Sequence, residues 1–442
     1  MALGVHARVL IIARDDALAG PLSEGLDRLG WRTVTARGPY AAVAALGDLG
    51  VEAAIVDLNS LGEEGLGLAR RLRAACAPRR LPVIAIGDPH PENNTLGFDL
   101  TLVAPVHPAQ AALRLETLVR TAISEEEFDL RRETFSDHGR LLDAPEADNS
   151  LFRVLAIGEP APQFLALSNA LSQTGAEVVG AFTAYTAFDY MHERPFDAVV
   201  LWAGENSQEA LSIAAGMRRN TRLYHSPALL YMRNESYGTL SEAYHRGVSD
   251  VASPDTPEVE TARRVIELAR NFRRQSAIRR ALEKARSSGL MDPATGLFTR
   301  PLFAHHLQRL AASARLRNRP LSVCVLRVAD RPEIAEARKS TWLDRAIPQI
   351  GSMISRLVRV EDTAGRLSAE VFALALPATT YEAAKAAGER IAAVIGCTAF
   401  EAGDGKAPFV VDFDIGVAEV QVPDGVAKAL EQAAARAQQQ AS

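Results

Sequence analysis

The chain has 442 residues, a formal net charge of −5, 48% apolar residues and three cysteines. The negative charge argues against a general nucleic-acid binder, and no apolar run in the sequence approaches the ~20 residues that span a bilayer. Three widely spaced cysteines exclude a disulfide framework, so we expect a soluble cytoplasmic protein of about three domains of ~150 residues each.

Residues 1–135 alternate apolar segments with amphipathic ones, as in "ARVLIIA", "ALAGPLSEGLDRLG" and "AAIVDL". Strands that alternate with helical patterns predict βαβ units and a parallel sheet. A charged stretch from Ile123 to Ser150 follows, which we interpret as a helix end plus a linker. The same order of elements then restarts at "FRVLAIG" and continues to residue 257. We therefore predict two like α/β domains in tandem, at residues 1–135 and 150–257.

Residues 258–290 predict one long helix, because Gly and Pro are absent from Glu258 to Arg286 and apolar residues recur mostly three or four positions apart. The apolar seam comprises Val265, Leu268, Phe272, Ile278, Leu282 and Ala285. Two interpretations stay open, a solvated connecting helix and the seam of a dimer. Residues 291–442 again mix helical and strand patterns and predict a third domain.

The first domain resembles a response-regulator receiver domain, a flavodoxin-like fold with a parallel five-stranded sheet. Asp57 ends the third predicted strand, where that family accepts phosphate. The resemblance also implies an acidic pair that holds Mg²⁺ and a lysine, but Ala13-Arg14 and Ala104 stand at those positions. Asp57 is therefore a phosphoacceptor candidate, unless it is a structural carboxylate that pairs with Arg14.

The second domain resembles a receiver that has lost its chemistry. Trp202 stands at the acceptor position, and Gly158-Glu159 leaves at most one acidic residue near its first strand. A tryptophan cannot take a phosphoryl group. The resemblance implies a packing or dimerisation module, so we expect a homodimer.

The third domain resembles the GGDEF domain of diguanylate cyclases, a ferredoxin-like fold. "MDPATGLFTRPLF" at residues 291–303 is similar to the opening signature of that family, and "RLSAEVFA" lies where its hairpin signature stands. The resemblance covers the whole chain, with two receivers and a GGDEF domain as in PleD-type response regulators, and it is nearest to the PopA-like paralogues of that type.

Most catalytic positions of the family are altered here. A cyclase needs carboxylates on adjacent strands to hold two metal ions, and a glycine pair on the hairpin tip lets the backbone approach the phosphates of GTP. The positions implied by the resemblance are occupied by Arg327, Ala335, Ser368, Ala369, Glu370 and Val371. Glu370 alone keeps a metal-binding side chain, so we expect no catalytic residue, no metal and no cyclase activity.

The motif Arg359-Val360-Glu361-Asp362 stands just before the predicted hairpin. In the GGDEF family, Arg-x-x-Asp in this register is the inhibitory site (I-site) for cyclic di-GMP, and Arg390 falls where the family often places a second arginine. A guanidinium can donate to a guanine edge or a phosphate, and a carboxylate can accept from guanine N–H groups. The resemblance implies that these residues bind cyclic di-GMP as an intercalated dimer; a surface ion pair without function is the alternative.

Two classes of function follow. The first is a non-enzymatic cyclic di-GMP effector that recruits proteins through its receivers, and the PopA-like resemblance implies a cell pole and adaptors of the ClpXP protease. The second is a weak diguanylate cyclase controlled by phosphorylation of Asp57; binding of GTP without turnover is a third possibility. His305 and His306 lack a third metal ligand nearby and are expected to face solvent on a helix.

Overall fold

The computed structural model describes residues 7–77, 79–87, 96–104, 106–204, 207–232, 242–243, 246–284, 289–403, 405–421 and 425–439. These residues include three five-stranded sheets, two of them parallel and one mixed. The predicted fold class, two flavodoxin-like receiver domains followed by a ferredoxin-like domain, is confirmed.

The first domain is a parallel sheet with helices on both faces. Its strands lie in the order β2-β1-β3-β4-β5, and all but the edge strand β2 are short and largely apolar because both of their faces are covered. The strands are β1 (Arg8–Ile12), β2 (Arg32–Ala36), β3 (Val51–Asp57), β4 (Val83–Ile86) and β5 (Leu100–Leu102). The helices are α1 (Asp16–Arg28), α2 (Pro39–Asp48), α3 (Leu58–Leu61), α4 (Leu68–Cys76) and α5 (Pro108–Asp137).

Helix α5 is much longer than the first sheet requires. Its first half covers the sheet with Ala111, Leu115 and Val119, which belong to the core of the domain. Its second half contains most of the stretch that we interpreted as a helix end plus a linker, and it remains helical to Asp137. The interpretation agrees with the structure, since the helix ends at Asp137 and residues 140–149 form no helix or strand.

The second domain repeats the same architecture with strand order β10-β9-β8-β6-β7. The strands are β6 (Arg153–Ile157), β7 (Glu177–Ala181), β8 (Ala198–Ala203), β9 (Ala228–Met232) and β10 (Asp250–Ala252). The helices are α6 (Pro162–Gln173), α7 (Ala184–Glu193), α8 (Gln208–Arg219) and α9 (Glu258–Lys284).

The predicted long helix corresponds to α9, and its first half is part of the second domain. Val265 and Leu268, the first two residues of the predicted seam, are buried in the core cluster that includes Val200 and Leu229. Arg273 donates to Asp197 and to the backbone carbonyls of residues 150 and 151, which fixes the helix against the sheet. This half of the seam is therefore core and not a free surface for dimerisation. Ala285 lies outside the described residues.

The C-terminal domain has a mixed sheet in the order β11-β13-β14-β12-β15, in which β11 and β13 are parallel and the other neighbours antiparallel. The strands are β11 (Phe298–Thr299), β12 (Leu321–Val328), β13 (Thr363–Ser368), β14 (Val371–Pro377) and β15 (Phe413–Glu419). The helices are α10 (Arg300–Arg317), α11 (Pro332–Lys339), α12 (Trp342–Leu357), α13 (Tyr381–Gly396) and α14 (Gly425–Gln439).

The alanine-rich helix α14 packs unusually close to the sheet. A Cβ atom on Gly416 of β15 would lie 1.8 Å from the backbone oxygen of Ala433, so only glycine fits there. Ala429, Ala433 and Ala437 are buried at four-residue spacing on the same helix face. The small side chains of this helix are therefore a packing requirement of the fold.

The chain divides into two compact units, one of residues 1–143 and 282–442 and the other of residues 144–281. The first unit contains both the first receiver and the C-terminal domain, and the second unit contains the second receiver. Within the described part of the chain, no helix has the length and hydropathy to cross a bilayer.

Candidate functional site

The Arg-x-x-Asp motif forms a tight turn between α12 and β13. The backbone N–H of Arg359 donates to Asp362 Oδ2 at 3.0 Å, and the N–H of Asp362 donates to the carbonyl of Arg359 at 3.3 Å. A carboxylate that accepts from the backbone of its own turn fixes the turn's conformation. Asp362 therefore has a structural task as well as a predicted ligand-binding one.

Charged groups converge on this turn. Arg359 is half-buried, and its pKa is lowered by burial and by the nearby guanidinium groups of Arg120 and Arg390. The carboxyl of Asp362 is 7% exposed, and burial, followed by the charge of Glu361, raises its pKa to about 6. The structure thus brings together the three predicted ligand-binding residues and adds Arg120, which belongs to α5 of the first receiver.

The hairpin of β13 and β14 turns one residue later than we predicted. Ser368 pairs with Val371 across the strands, so Ala369 and Glu370 form the tip, whereas we expected the Ser-Ala pair there. Arg366 donates to the backbone carbonyls of Ser368 and Ala369, which holds the tip in place. Among the described residues, positive φ at non-glycine positions occurs only at Asn318, Thr341 and Ala378, so this turn has no need of glycine.

Glu370 is held by an internal arginine. Arg338 of α11 donates to both carboxylate oxygens of Glu370, with Nε at 2.9 and 3.0 Å and Nη2 at 2.7 Å, and it also contacts Asp330. Hydrogen bonds from Arg338 to Glu370 and Asp330 raise the pKa of Arg338, so its guanidinium stays charged. A metal ion would have to displace a guanidinium from Glu370.

Two other positions that the resemblance assigns to catalysis face each other in the sheet. Arg327 lies opposite Val371 across β12 and β14, so this pair offers a cation and an apolar side chain and no carboxylate. Ala335 is exposed on α11 and offers no side-chain group to a base. No cluster of three or more metal-ligating side chains occurs in the described ranges.

Asp57 is buried at the end of β3, 3% exposed, and its Oδ1 accepts from the backbone N–H of Asn59 at 3.1 Å. The alternative partner that we considered, Arg14, pairs with Glu64 instead. Asp15 and Asp16, the acidic residues that directly follow Arg14, are engaged elsewhere, because Asp15 caps α1 and Asp16 pairs with Arg37.

We expect Asp57 to remain unphosphorylated, because no group of metal-ligating side chains that could hold Mg²⁺ is found beside it among the residues that the structure describes. Incubation with acetyl phosphate and Mg²⁺, followed by mass spectrometry, should give the same result for wild type and Asp57→Asn. The substitution should cost less than about 1 kcal/mol, since the asparagine oxygen can still accept from the helix N-terminus. A phosphoryl adduct that is present in wild type and absent from Asp57→Asn would contradict this prediction.

In the second receiver, aromatic rings fill the acceptor pocket. Trp202 stacks on Tyr231 with ring centroids 4.9 Å apart and meets Phe164 edge-on at 6.1 Å. A Cβ atom on Gly158, whose φ is +149°, would lie 2.4 Å from the Cβ of Trp202, so glycine makes room for the indole. The pocket is packed as core, as expected of a domain without receiver chemistry.

Helix α5 carries a polar stripe that packs on the C-terminal domain. Its members recur at alternating spacings of four and three residues and so share one helix face. The polar stripe comprises Arg120, Ser124, Glu127, Arg131 and Thr134. Our prediction for His306 was wrong, because this side chain is fully buried against the stripe, with Nε2 2.9 Å from Glu127 Oε1 and Nδ1 2.9 Å from Thr134 Oγ1.

Ion pairs flank the polar stripe. Arg319, which follows α10, donates to Glu52 of β3 and to Glu126 of α5, and all three side chains are at least 87% buried. Arg309 of α10 pairs with Glu133 and Asp137 at the exposed rim. The sequence did contain a signal for this interface, namely polar residues at heptad-like spacing in a segment rich in charges.

Comparison with known proteins agrees with this architecture. Residues 289–442 match the family model described as diguanylate cyclase, GGDEF domain. The chain is 23% identical over 421 residues to Response regulator PleD of Caulobacter vibrioides. The alignment covers 93% of this chain and 92% of that relative.

Two solved structures illustrate the similarity of the C-terminal domain. The FimX GGDEF domain from Pseudomonas aeruginosa is 22% identical and covers 34% of this chain and 93% of its own, with a TM-score of 0.32. The GGDEF domain of DgcB from Caulobacter crescentus, solved in complex with c-di-GMP, is 19% identical and covers 34% of this chain and 86% of its own, also with a TM-score of 0.32. The chain is thus similar along nearly its whole length to a PleD response regulator, and its last third matches the GGDEF family model.

Proposed function

We propose that this protein is a non-enzymatic effector that binds cyclic di-GMP at the turn of Arg359 and Asp362. The observation that carries the proposal is the convergence of Arg359, Asp362 and Arg390 on one turn of a GGDEF domain. A guanidinium can donate to the guanine O6 and N7 atoms or to a phosphate, and the free oxygen of the carboxylate can accept from guanine N–H groups.

The altered catalytic positions support the absence of turnover. GTP and its metal ions need carboxylates on adjacent strands, whereas Arg327 adds a positive charge and Glu370 is engaged by Arg338. The alternative is a weak diguanylate cyclase. We expect purified protein with GTP and Mg²⁺ or Mn²⁺ to form no cyclic product; turnover that Glu370→Ala abolishes would favour the alternative.

A calorimetric titration of the full chain with cyclic di-GMP tests the binding directly. We expect micromolar or tighter binding, with more than one ligand per site if the nucleotide binds as an intercalated dimer. Excess GTP should not displace the ligand, because the altered hairpin is a separate site. If neither wild type nor the Arg319→Ala variant described below binds cyclic di-GMP, the proposal fails.

The affinity for cyclic di-GMP should fall with pH below about 6, where Asp362 takes up a proton. Burial and Glu361 favour the protonated form of Asp362, and Arg359 opposes it. As pH rises, the folded chain therefore still holds this proton at pH values where an unfolded chain has already released it. This proton stabilises the fold at low pH, and the contribution is lost as pH rises through about 4 to 6.

Ligand binding has the opposite sign, because only the ionised carboxylate accepts from guanine N–H groups. The dissociation constant should rise about tenfold for each pH unit below the pKa. Titrations between pH 5 and about 7.5 check this, and Asp362→Asn is the control because it cannot titrate. Equal pH profiles for wild type and control would contradict the assignment of Asp362.

We further propose that the output is a protein contact. The similarity to a response regulator supports an output of this kind, and the packed pocket of the second receiver supports a scaffold or dimerisation role for that domain. From the PopA-like resemblance we propose a homodimer, recruitment to a cell pole and adaptor proteins of the ClpXP pathway as partners. Analytical ultracentrifugation with and without cyclic di-GMP tests the dimer, and a monomer under both conditions would exclude it.

A further inference from the structure

Helix α5 of the first receiver lies on the turn that we propose as the ligand site. Arg131 Nη2 donates to the backbone carbonyls of Val360 and Asp362, both at 3.0 Å, and to Thr363 Oγ1 at 3.1 Å. Nearer the N-terminus of the same helix, Arg120 Nη1 and Ser124 Oγ donate to the two carboxylate oxygens of Glu361, at 3.2 and 3.0 Å. The receiver therefore contacts every residue from Val360 to Thr363.

The contact leaves one group of the turn without a hydrogen bond. Asp362 Oδ1 is buried and has no hydrogen-bond partner, while Oδ2 accepts from the turn itself. A buried carboxylate oxygen without a donor is costly, and a guanine edge would supply the missing donors. In this arrangement the carboxyl is 7% exposed, so a nucleotide base cannot reach Oδ1 while the helix is in place.

The interface is built in a way that allows separation. Its central groups are ionic or polar, namely Glu127, Arg131 and His306, and its flanks are the ion pairs of Arg309 and Arg319. Charged groups regain hydration when they leave a buried contact, which offsets the Coulomb energy that is lost. Phe135, which meets Phe298 edge-on at 5.8 Å, provides apolar contact at the end of the helix. Polar interfaces of this kind are typical of domains that move relative to each other.

We propose that α5 is a releasable cover of the ligand turn, so that cyclic di-GMP and the docked first receiver compete for the segment Arg359–Asp362. The inference rests on the proposed function and adds the coupling that it needs. Since the ligand binds the open arrangement and not the closed one, occupancy shifts the population towards a released receiver. The released α5 and the exposed polar face of α10 would then be available to other proteins.

The decisive variant loosens the cover without touching the ligand turn. Arg319→Ala removes the buried link to Glu52 and Glu126, which lies on the interface but makes no contact with residues 359–362. If only a small fraction of wild type is open, the apparent affinity of wild type for cyclic di-GMP is reduced in proportion to that open fraction. The variant, which opens more easily, should therefore bind cyclic di-GMP roughly 10- to 1,000-fold more tightly than wild type. Arg37→Ala is the control, because it breaks an exposed pair with Asp16 on the same domain; its affinity should equal that of wild type.

A second measurement uses the full-length wild-type chain and needs no variant. Cyclic di-GMP should raise the amide hydrogen exchange of residues 120–137 while the core strands of both domains stay protected. Unchanged or increased protection of α5 in the ligand-bound protein, or weaker binding by Arg319→Ala, would overturn the cover. Binding that is equal in wild type and Arg319→Ala would overturn it too but leave the proposed function standing, whereas no binding by either protein would end both.

Discussion

Arg319→Ala is expected to destabilise the docking of α5 on the C-terminal domain by about 3–5 kcal/mol, the cost of removing one partner from a buried ion-pair cluster. The side chain of Arg319 is 8% exposed, and it donates to two carboxylates, Glu52 and Glu126, that are 13% and 5% exposed. Their charges raise the pKa of Arg319 despite its burial, so the cation is firmly held. Without it, Glu52 loses its cation, and Glu126 keeps only the ion pair with Arg317 at 3.3 Å.

Amide hydrogen exchange of residues 120–137 in the ligand-free protein measures this effect, because exchange there requires the helix to undock or fray. Arg309→Ala is the matched control on the same interface. Its partners Glu133 and Asp137 are 57% and 44% exposed, so its loss should cost less than about 1 kcal/mol. Equal exchange in the two variants would show that the buried cluster does not hold the helix.

The fold was predictable because its signals are local. Apolar strands such as "ARVLIIA" are buried on both faces of a parallel sheet, and the repeat of that pattern after residue 150 gave the second receiver. The second half of α5 is harder to predict in detail, because charged residues outnumber apolar ones there. It buries few apolar residues, Ile123, Phe128 and Phe135 among them, and its charged residues have partners far away in the sequence.

The same reason explains the wrong prediction for His306. A histidine on a polar segment is expected to face solvent, and only the stripe of Glu127 and Thr134 gives its two ring nitrogens partners in the interior. Burial lowers the pKa of His306, although Glu127 opposes the shift. The spacing of polar residues in α5 signals an interface, but the sequence does not reveal that its partner is the C-terminal domain.

The candidate ligand site was predictable in part. Arg359 and Asp362 are three residues apart, so a turn brings them together without long-range information. Arg390 could be assigned to the site only through the resemblance to the GGDEF family. Arg120 could be found neither from the local sequence nor from that resemblance. The hairpin tip was misplaced by one residue, because the bulge between Arg366 and Ser368 shifts the register and carries no clear sequence signal.

Arg359→Ala should weaken binding of cyclic di-GMP at least about a hundredfold, because the loss of a charge-assisted, two-pronged donor costs about 3 kcal/mol or more. The turn is fixed by the backbone N–H of Arg359, which donates to Asp362 and is kept in the variant, so the fold should survive the change. Arg356→Ala is the matched control, since Arg356 lies exposed in the last turn of α12, just before the motif.

The central claim is that the Arg-x-x-Asp turn binds the nucleotide, and one calorimetric series tests it most directly. Wild type, Arg356→Ala and Arg359→Ala are titrated with cyclic di-GMP under the same conditions. We predict binding by the first two at equal affinity and none detectable for Arg359→Ala. Undiminished binding by Arg359→Ala would contradict the account, because the ligand would then occupy a different site.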